Sequence, residues 1–324
     1  MRDLTRRSFV AVAGVLAAPA IRAQNAYPDR TITMILPFAP GGPSDLVGRL
    51  VAQKLEVVLG RPVVVENRPG AGGTIASAYV ARAAPDGYTL MFATSSTQAI
   101  APALYRNLSY DPIRAFAPIS QVSLSPLMML ANPSLPVTSV QELIAYGKAN
   151  PGKLNYGSAG NGTPAHLSMV VFNRMVGIEA VHVPYRSGGE AVSAALQGQV
   201  QYLLDAAVSS SSHIQAGTLR ALAVCSENRS KLFPQIPTVI ESGVPGYTAV
   251  SWGGLVAPAG TPPAVVERLH QAVRQALVIP DLIASFARTD TIAVDSDPET
   301  FATTIAREAQ TWRGVIAELR LALS

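Results

Sequence analysis

The chain has 324 residues, of which 48% are hydrophobic and 14% are charged, and its formal net charge is +4. Four of its 25 basic residues and one of its 21 acidic residues fall within residues 1–23, so the rest of the chain carries 21 basic and 20 acidic residues, a net charge of +1. This near-neutral balance, without a basic block, excludes the electrostatic surface that nucleic-acid binding requires. A chain of about 300 residues exceeds one typical core, so two lobes are expected.

Residues 1–23 are predicted to be a targeting segment. Arg6 and Arg7 precede an apolar run from Phe9 to Ala18, and a small residue follows at Ala23. This order is typical of a twin-arginine signal peptide cleaved after Ala23, which predicts export to the periplasm. The alternative is a membrane anchor, but the uninterrupted run is about half of the roughly 20 residues needed to span a bilayer.

The first strand, loop and helix are predicted over residues 31–55, with Ser44 or Asp45 capping an amphipathic helix. The candidate ligand contacts here are Phe38, Ala39, Pro40, Gly41, Gly42, Ser44 and Asp45. Glycines let the backbone approach a ligand, and the N–H groups of the first helical turn lack partners within the helix. The element is therefore suited to hold an anion, although an ordinary strand-to-helix turn is the alternative.

The third predicted strand, residues 89–93, ends in the hydroxyl residues Thr94, Ser95, Ser96 and Thr97. Open α/β sheets bind ligands at the carboxyl ends of their strands, so ligand contacts are expected at Thr94, Ser95 and Ser96. Alternatively, these hydroxyls cap the next helix. Before this strand, the glycine-rich turn at 67–74 lacks the order of a dinucleotide loop or a P-loop and is interpreted as a closely packed turn.

A second strand, loop and helix are predicted over residues 154–172. Thr163 is a suitable N-cap, and Pro164 suits the first helical position. The candidate ligand contacts are Ser158, Ala159, Gly160, Gly162, Thr163 and His166. Two anion-binding elements of one design suggest a ligand that is held from both sides. His166 is expected to pack or hydrogen-bond beneath the loop.

Strand and helix signals alternate along the rest of the chain. Ser139 and Glu142 form a capping box, a helix is predicted over 191–197, and a strand over 199–204 places Asp205 at a sheet edge. Residues 133–136 and 250–258 are interpreted as crossovers between the lobes, and the hinge is expected at these crossovers, near residues 125–135 and 248–254. Residues 261–322 are interpreted as two or three amphipathic helices. This alternation is typical of a doubly wound α/β architecture with parallel-rich sheets.

The sequence gives little sign of a metal site, a cofactor or an enzyme. Cys225 is the single cysteine, so no internal disulfide or thiolate zinc cluster is possible, and it is expected to be a small buried hydrophobic residue rather than a nucleophile. The histidines at 166, 182, 213 and 270 lack metal-ligand spacing. A hydrolase could use Ser158, His166 and Asp205, but residues 156–160 lack the first glycine of G-x-S-x-G, so catalysis is not expected.

Blocks along nearly the whole mature chain resemble the substrate-binding proteins of tripartite tricarboxylate transporters, the Bug or TctC-like receptors. They are YPDRTITMILPFAPGGPSD (27–45), PVVVENRPGAGGT (62–74), APDGYTLMFAT (84–94), PGKLNYGSAGNGTPAHL (151–167), HVPYRSGGEA (182–191), LRALAV (219–224), IPTVIESGVPGY (236–247) and WGGLVAPAGTP (252–262).

The resemblance implies a periplasmic binding protein-like type II fold, with two lobes of doubly wound mixed sheets joined by two crossovers. The lobes would be residues 24–128 plus 252–324, and residues 129–251. A small carboxylated metabolite, such as a di- or tricarboxylate, an amino acid or a related acid, would be held by the loops at 38–45 and 158–166, by the hydroxyls at 94–96 and by Asp205. A monomer is expected, with the large and small membrane subunits of a transporter as partners; a sensor kinase that reads the bound receptor is the alternative.

Two ligand-facing segments depart from the family pattern. Residues 187–190 are Ser-Gly-Gly-Glu where family members usually have Gly-Gly-Ala-Pro, and four serines at 209–212 follow the segment after Asp205. The identity of the ligand therefore does not follow from the resemblance. Arg186 is either a ligand contact or part of a structural ion pair. Glu190 either selects a ligand with an amino group or is a solvated carboxylate at a helix start.

Overall fold

A computed structural model describes residues 27–105, 107–318 and 321 of the chain. The predicted signal peptide, residues 1–23, lies outside these residues, as do most residues after 318. Within the described part, every helix is too short or too polar to cross a bilayer.

The first lobe is a mixed sheet with helices on both faces. Its parallel strands are β1 (Ile32–Leu36), β2 (Val63–Asn67) and β3 (Thr89–Thr94), and the antiparallel strand β9 (Val250–Pro258) pairs with β3. The helices of this lobe are α1 (Pro43–Leu59), α2 (Thr74–Ala81), α3 (Ala101–Leu104), α8 (Pro263–Leu277), α9 (Pro280–Ala287) and α10 (Pro298–Glu318). One apolar cluster lies between the sheet and α1, α8 and α9, and another joins the opposite face to α2 and α10.

The second lobe repeats this layering. Its strands are β5 (Leu154–Ser158), β6 (Ala180–Pro184), β7 (Tyr202–Ala206) and β8 (Arg220–Val224). Its helices are α4 (Val140–Ala149), α5 (Pro164–Val176), α6 (Gly188–Leu196) and α7 (Ala207–Gln215). The side chains of α4 and α5 pack into one apolar cluster, and those of α6 and α7 pack into another. The doubly wound α/β class predicted from the sequence is therefore confirmed.

One long strand, β4 (Phe116–Ala131), runs through both lobes and joins their sheets. Up to Pro126 it pairs with β9, and from Leu127 it pairs with β7. A short strand, β10 (Ile292–Ala293), also pairs with the first half of β4. The loop at 133–136 is not the crossover, because the pairing changes inside β4, where an extended strand passes from one sheet to the other without a loop. The change falls within the range 125–135 in which the hinge was predicted. The lobe boundaries themselves stay a prediction.

Two helix starts also differ from the sequence prediction. The N-cap of α1 is Gly42 with Pro43 at the first helical position, and no side chain caps it, so capping by Ser44 or Asp45 is wrong. The Asp45 carboxylate instead accepts a hydrogen bond from the N–H of Gly41. Helix α6 begins at Gly188, not at residue 191, because Ser187 is its N-cap and accepts a hydrogen bond from the N–H of Glu190.

Candidate functional site

A cavity of about 70 Å³ lies between the two lobes. The first lobe contributes the start of α1 and the end of β3. The second lobe contributes the starts of α5 and α6 and the end of β7. The lining residues are Phe38, Gly42, Pro43, Ser44, Thr94, Ser96, Leu127, Ala159, Thr163, Pro164, Ala165, Gly188, Ala191, Leu204, Asp205, Ala206 and Ser251.

The helix starts on the two sides of the cavity are those of α1 and α5. At α1, residues 42–44 line the cavity, and the extended backbone of Gly42 leads into the helix without a side-chain cap. At α5, residues 163–165 line the cavity, and Thr163 Oγ1 accepts a hydrogen bond from the His166 N–H at 3.3 Å. The partial positive charges of both termini therefore lie at one cavity.

Two more helices begin at the cavity, next to the segments 187–190 and 209–212 that the family resemblance placed near the ligand. Gly188 is the first residue of α6, and Ala206 is the N-cap of α7, which no side chain caps. The Ser187–Glu190 capping box was a readable signal for the start of α6. The sequence contains no comparable capping signal for α7, because α7 follows β7 directly and its N-cap, Ala206, has no capping side chain.

The polar lining of the cavity consists mainly of hydroxyl groups. They belong to Ser44, Thr94, Ser96, Thr163 and Ser251. Asp205 is the one ionisable side chain in this described lining, and no lysine, arginine or histidine reaches it. An anion in the cavity would thus meet amide and hydroxyl donors rather than a side-chain cation.

Asp205 is almost completely buried, with 4% of its surface exposed. Burial raises the pKa of its carboxyl to about 7, although the hydrogen bond from Ser209 acts in the opposite direction. The Ser209 hydroxyl donates a very short hydrogen bond to Asp205 Oδ2. On the other side, a Cβ built on Gly188 would lie 2.8 Å from Asp205 Oδ1. The carboxylate is therefore held between the starts of α6 and α7.

The predicted contacts that do not line the cavity fall into two groups. Pro40 and Gly41 line a surface hollow, and Gly160 and Arg186 line an outer recess of about 620 Å³ that shares Phe38 and Ala159 with the cavity. The remaining predicted contacts do not line the cavity, and we call them the framework residues: they are Ala39, Asp45, Ser95, Ser158, Gly162 and His166.

The framework residues of the first loop hold it against β2 and the second lobe. Burial tends to raise the pKa of the Asp45 carboxyl, but hydrogen bonds from Arg49, Asn67 and the Gly41 N–H leave it below its ordinary value. The Ala39 N–H points to the Arg186 carbonyl at 3.5 Å. Arg186 forms no ion pair among the described residues, and its side chain is exposed.

Two stacked histidines support the second loop. The His166 and His182 rings lie 4.0 Å apart between centroids, and the Gly162 N–H donates to His166 Nδ1 at 3.3 Å. Burial lowers the pKa of His166 to about 4, and burial together with the charge of His166 lowers the pKa of His182 to about 3, so both rings are neutral at neutral pH. The expected local role of His166 beneath the loop is confirmed.

The residues of the hydrolase alternative bond to other partners. Ser158 Oγ lies 2.7 Å from Nε2 of His182, not of His166, and Asp205 is bound by Ser209. Nδ1 of His166 accepts a hydrogen bond from the Gly162 N–H, so it does not donate to a carboxylate. The orientation that a serine triad requires is therefore not formed by these three residues.

The lobes touch along the rim of the cavity. Ser96 Oγ, in the first lobe, lies 2.6 Å from the Gly162 carbonyl of the second lobe and 2.8 Å from the Gly72 carbonyl of its own lobe. A Cβ built on Gly189 would lie 2.8 Å from the Gly41 carbonyl, so only glycine allows this approach. The described conformation is thus closed.

Comparisons with known proteins agree with this architecture. The family described as "Tripartite tricarboxylate transporter family receptor" matches residues 47–321. BugT of Bordetella pertussis (strain Tohama I) is 38% identical over 311 residues, which cover 96% of this chain and 94% of BugT.

Two solved structures are similar over the whole fold. One is MatC from Rhodopseudomonas palustris with bound malate, with a TM-score of 0.86 and 33% identity over 90% of this chain and all of MatC. The other is an R. palustris protein with adipate, with a TM-score of 0.89 and 33% identity over 91% of this chain and 99% of that protein.

Proposed function

This chain belongs to the tripartite tricarboxylate transporter receptor family, and on that premise we propose that it is a periplasmic receptor for a small carboxylate, bound between its lobes. One observation carries the proposal: the starts of α1 and α5, from different lobes, line the same small cavity. A carboxylate held there would pair with free N–H groups from both sides.

The chemistry of the lining supports an anionic ligand. Each helix N-terminus is equivalent to about half a positive charge, and hydrogen bonds from N–H groups to a carboxylate are stronger than those between neutral groups. These donors replace the arginine or lysine that the lining lacks. The malate and adipate in the two R. palustris structures are carboxylates, which is consistent with this class of ligand.

The loops at 38–45 and 158–166 are each proposed to contain residues that contact the ligand and residues that hold the loop in place. Gly42, Ser44 and Thr163 would contact the ligand directly, because they line the cavity. Asp45 and His166 would act by holding the two loops in place, through the hydrogen bonds to Gly41 and Gly162.

Ligand binding is proposed to stabilise the closed arrangement of the lobes. Bending of β4 near Pro126 and of β9 near Val250, which pair in register, would separate the two lobes. Separation would open the contacts at Ser96 and Gly189 and expose the cavity. A ligand that touches both lobes binds only the closed form, so it shifts the equilibrium toward closure.

The proposed role in the cell is delivery of the ligand to the large and small membrane subunits of a tripartite transporter, after export through a twin-arginine signal. The sensor-kinase alternative would use the same cavity. Uptake of the ligand by cells that lack the receptor but keep the membrane subunits distinguishes the two roles, since a transport receptor is required for uptake.

Native mass spectrometry of the purified protein tests the receptor function. We expect a retained small carboxylic acid, and after unfolding and refolding we expect calorimetry to detect its rebinding. The variant Ser44→Trp should abolish rebinding, because the indole would fill the cavity at the start of α1.

The matched control is Gln53→Trp, which places the same side chain on the exposed face of α1. It should bind like the unmodified protein. Retention of an acid with equal affinity in Ser44→Trp would place the ligand elsewhere and contradict the proposal.

A further inference from the structure

Both tryptophans of the chain donate to one glutamate, Glu308 of α10. The Nε1–H of Trp252, in β9, makes a very short hydrogen bond to Glu308 Oε2, and the Nε1–H of Trp312 donates to Oε1 at 3.2 Å. Each oxygen therefore accepts one indole N–H, which is the pattern of an ionised carboxylate. Burial raises the pKa of this carboxyl, and the two hydrogen bonds act in the opposite direction.

The Glu308 carboxylate is half-buried, and none of the ion pairs among the described residues includes it. A carboxylate taken out of water costs free energy unless donors replace its hydration. The two indoles are those donors. Glu308 is therefore held in place for the hydrogen bonds that it accepts and not for a salt bridge.

Helix α10 holds the Trp252 side chain in two places. Phe301 and Glu308 are two helical turns apart, so they lie on the same face of α10. The Phe301 ring meets the Trp252 ring edge-on, with 5.3 Å between centroids, and Glu308 binds the indole nitrogen. These two contacts together set the orientation of the indole and join β9 to α10.

The backbone of Trp252 is connected to the cavity. Its N–H donates to the hydroxyl of the framework residue Ser95 at 3.3 Å. Ser95 lies in sequence between Thr94 and Ser96, and Trp252 follows Ser251; all three of these hydroxyl residues line the cavity. A shift of Trp252 would therefore displace the hydroxyl groups of the cavity on two strands.

Trp252 also lies close to the proposed hinge. It pairs with Leu124 of β4, and two residues away Val250 pairs with Pro126, where the two strands are proposed to bend. The contacts with α10 thus fix β9 on the first-lobe side of that bend.

From these contacts we infer that Glu308 is a positioning residue of the binding site: it fixes Trp252 against α10 and thereby sets the positions of the hydroxyls that line the cavity. This inference rests on the proposed receptor function. Glu308 does not line the cavity but a separate cleft of about 640 Å³, so its effect on a ligand has to pass through Trp252.

The second indole brings the same carboxylate to a contact between the lobes. Trp312 packs on the apolar cluster in which Leu167 of α5 meets Ile316 of α10. Glu308 therefore lies between a residue near the hinge and a contact that opening of the lobes would break.

Two substitutions of Glu308 test the inference by calorimetry, with malate, adipate and any acid retained by the purified protein as probes. Glu308→Leu has no acceptor for Trp252 and should lower affinity by about tenfold, the lower end of the usual effect of losing a hydrogen bond to a charged group. Glu308→Gln keeps an oxygen that can accept from Trp252 and should bind within about twofold of the unmodified protein.

A double-mutant cycle assigns the effect to Trp252. Trp252→Phe keeps the ring and the backbone N–H but loses the indole donor, so it should lower affinity by about tenfold on its own. In that background Glu308→Leu should cost less than about a further twofold, because the hydrogen bond is already absent. In the Trp312→Phe background the loss caused by Glu308→Leu should stay about tenfold.

The matched control is Glu267→Leu. Glu267 is an exposed glutamate of α8 whose carboxylate accepts from Gln271 of the same helix. The same substitution there should leave affinity unchanged.

Fluorescence gives a readout that a mere loss of stability would not move. In Trp312→Phe, Trp252 is the one remaining tryptophan. A saturating probe should change its emission, because its backbone is bonded beside the cavity. The combination of Trp312→Phe with Glu308→Leu, also saturated, should show little or no change.

Equal affinity of Glu308→Leu and the unmodified protein would overturn the inference, whatever happens to thermal stability. A loss that Glu308→Gln shares, or that persists in full in the Trp252→Phe background, would overturn it too, because the effect would not pass through this hydrogen bond. If Glu308→Leu does not fold, Trp252→Phe alone decides. If the unmodified protein binds none of the acids, the receptor function itself fails, which is a different outcome from unchanged binding in the variants.

Discussion

At Gly160 the backbone has a φ of +111°, which side-chain-bearing residues rarely adopt. Its carbonyl accepts a hydrogen bond from Thr163 Oγ1 at 2.8 Å, and a Cβ at this position would lie 3.2 Å from the Tyr185 carbonyl. The residue therefore fixes the path of the loop into α5. Its contribution to binding is conformational, since it lines the outer recess and not the cavity.

Replacing Gly160 by valine should strain this loop and lower ligand affinity by about tenfold or more, with a loss of about 1–3 kcal/mol in stability. Gly152→Val is the control, because Gly152 also has a positive φ, of +71°, but has open space around it. Thermal unfolding should show destabilisation of both variants, and calorimetry a loss of affinity in Gly160→Val alone. Equal affinities would contradict the assigned role of the loop.

Helices α1 and α5 contribute to the site through the residues of their first turns. Helices α1 and α5 both have proline at their first position, and each follows a loop that turns at the cavity. They differ in capping: α5 has the Thr163 side chain as its N-cap, whereas α1 has Gly42 and leaves its first N–H groups without a side-chain partner. The two helices can therefore bind a carboxylate unequally.

Replacing Thr163 by valine, which has the same shape, should remove the cap of α5 and cost about 1 kcal/mol of stability. It should also weaken ligand binding, because Thr163 lines the cavity. Ser139→Ala is the matched control: Ser139 caps α4 in the same way, by accepting from the Glu142 N–H, but lies outside the cavity lining. Both variants should lose similar stability in denaturant titrations. A similar loss of affinity in both would show that the effect is not local.

On the scale of the whole molecule, closure depends on contacts that join the lobes away from the hinge. Ser96 bridges toward the Gly162 carbonyl, and an apolar cluster of Ile100, Leu104, Leu167 and Ile316 joins α3 and α10 of the first lobe to α5 of the second. The contact between Ser96 and Gly162, and those of Leu167 with the first-lobe members of the cluster, are made only while the lobes are together. Their free energy therefore adds to that of the ligand in favour of the closed form.

The variant Ser96→Ala should shift the equilibrium toward the open form. Loss of one hydrogen bond costs about 0.5–1.5 kcal/mol, so affinity should fall by about two- to tenfold. Small-angle X-ray scattering should show a larger radius of gyration at a subsaturating ligand concentration. Ser77→Ala is the control, because the buried Ser77 hydroxyl donates to the Gly73 carbonyl within one lobe. A reduction of affinity as large in the control would contradict a role in closure.

The sequence by itself determined the local elements of the site. Thr163 and Pro164 predict the start of α5, because capping and turn preferences depend on residues about four positions apart or fewer. The predicted cap of α1 was wrong, because Gly42 and not a side chain precedes that helix. The alternating pattern predicts the doubly wound class, and the family blocks predict two lobes. These local signals do not predict which strands and helices lie next to one another in the fold.

The tertiary structure alone decided that the Asp205 side chain is buried, that α6 begins at Gly188 and lines the cavity with its first residue, and that the Glu190 carboxylate is turned away from the cavity. The tertiary structure also decided the residue at which β4 passes from one lobe to the other. No local signal marks this residue, because the chain is extended on both sides of Pro126. These features depend on packing between residues far apart in the chain, and a buried charge acquires its properties only from the groups that such packing places around it.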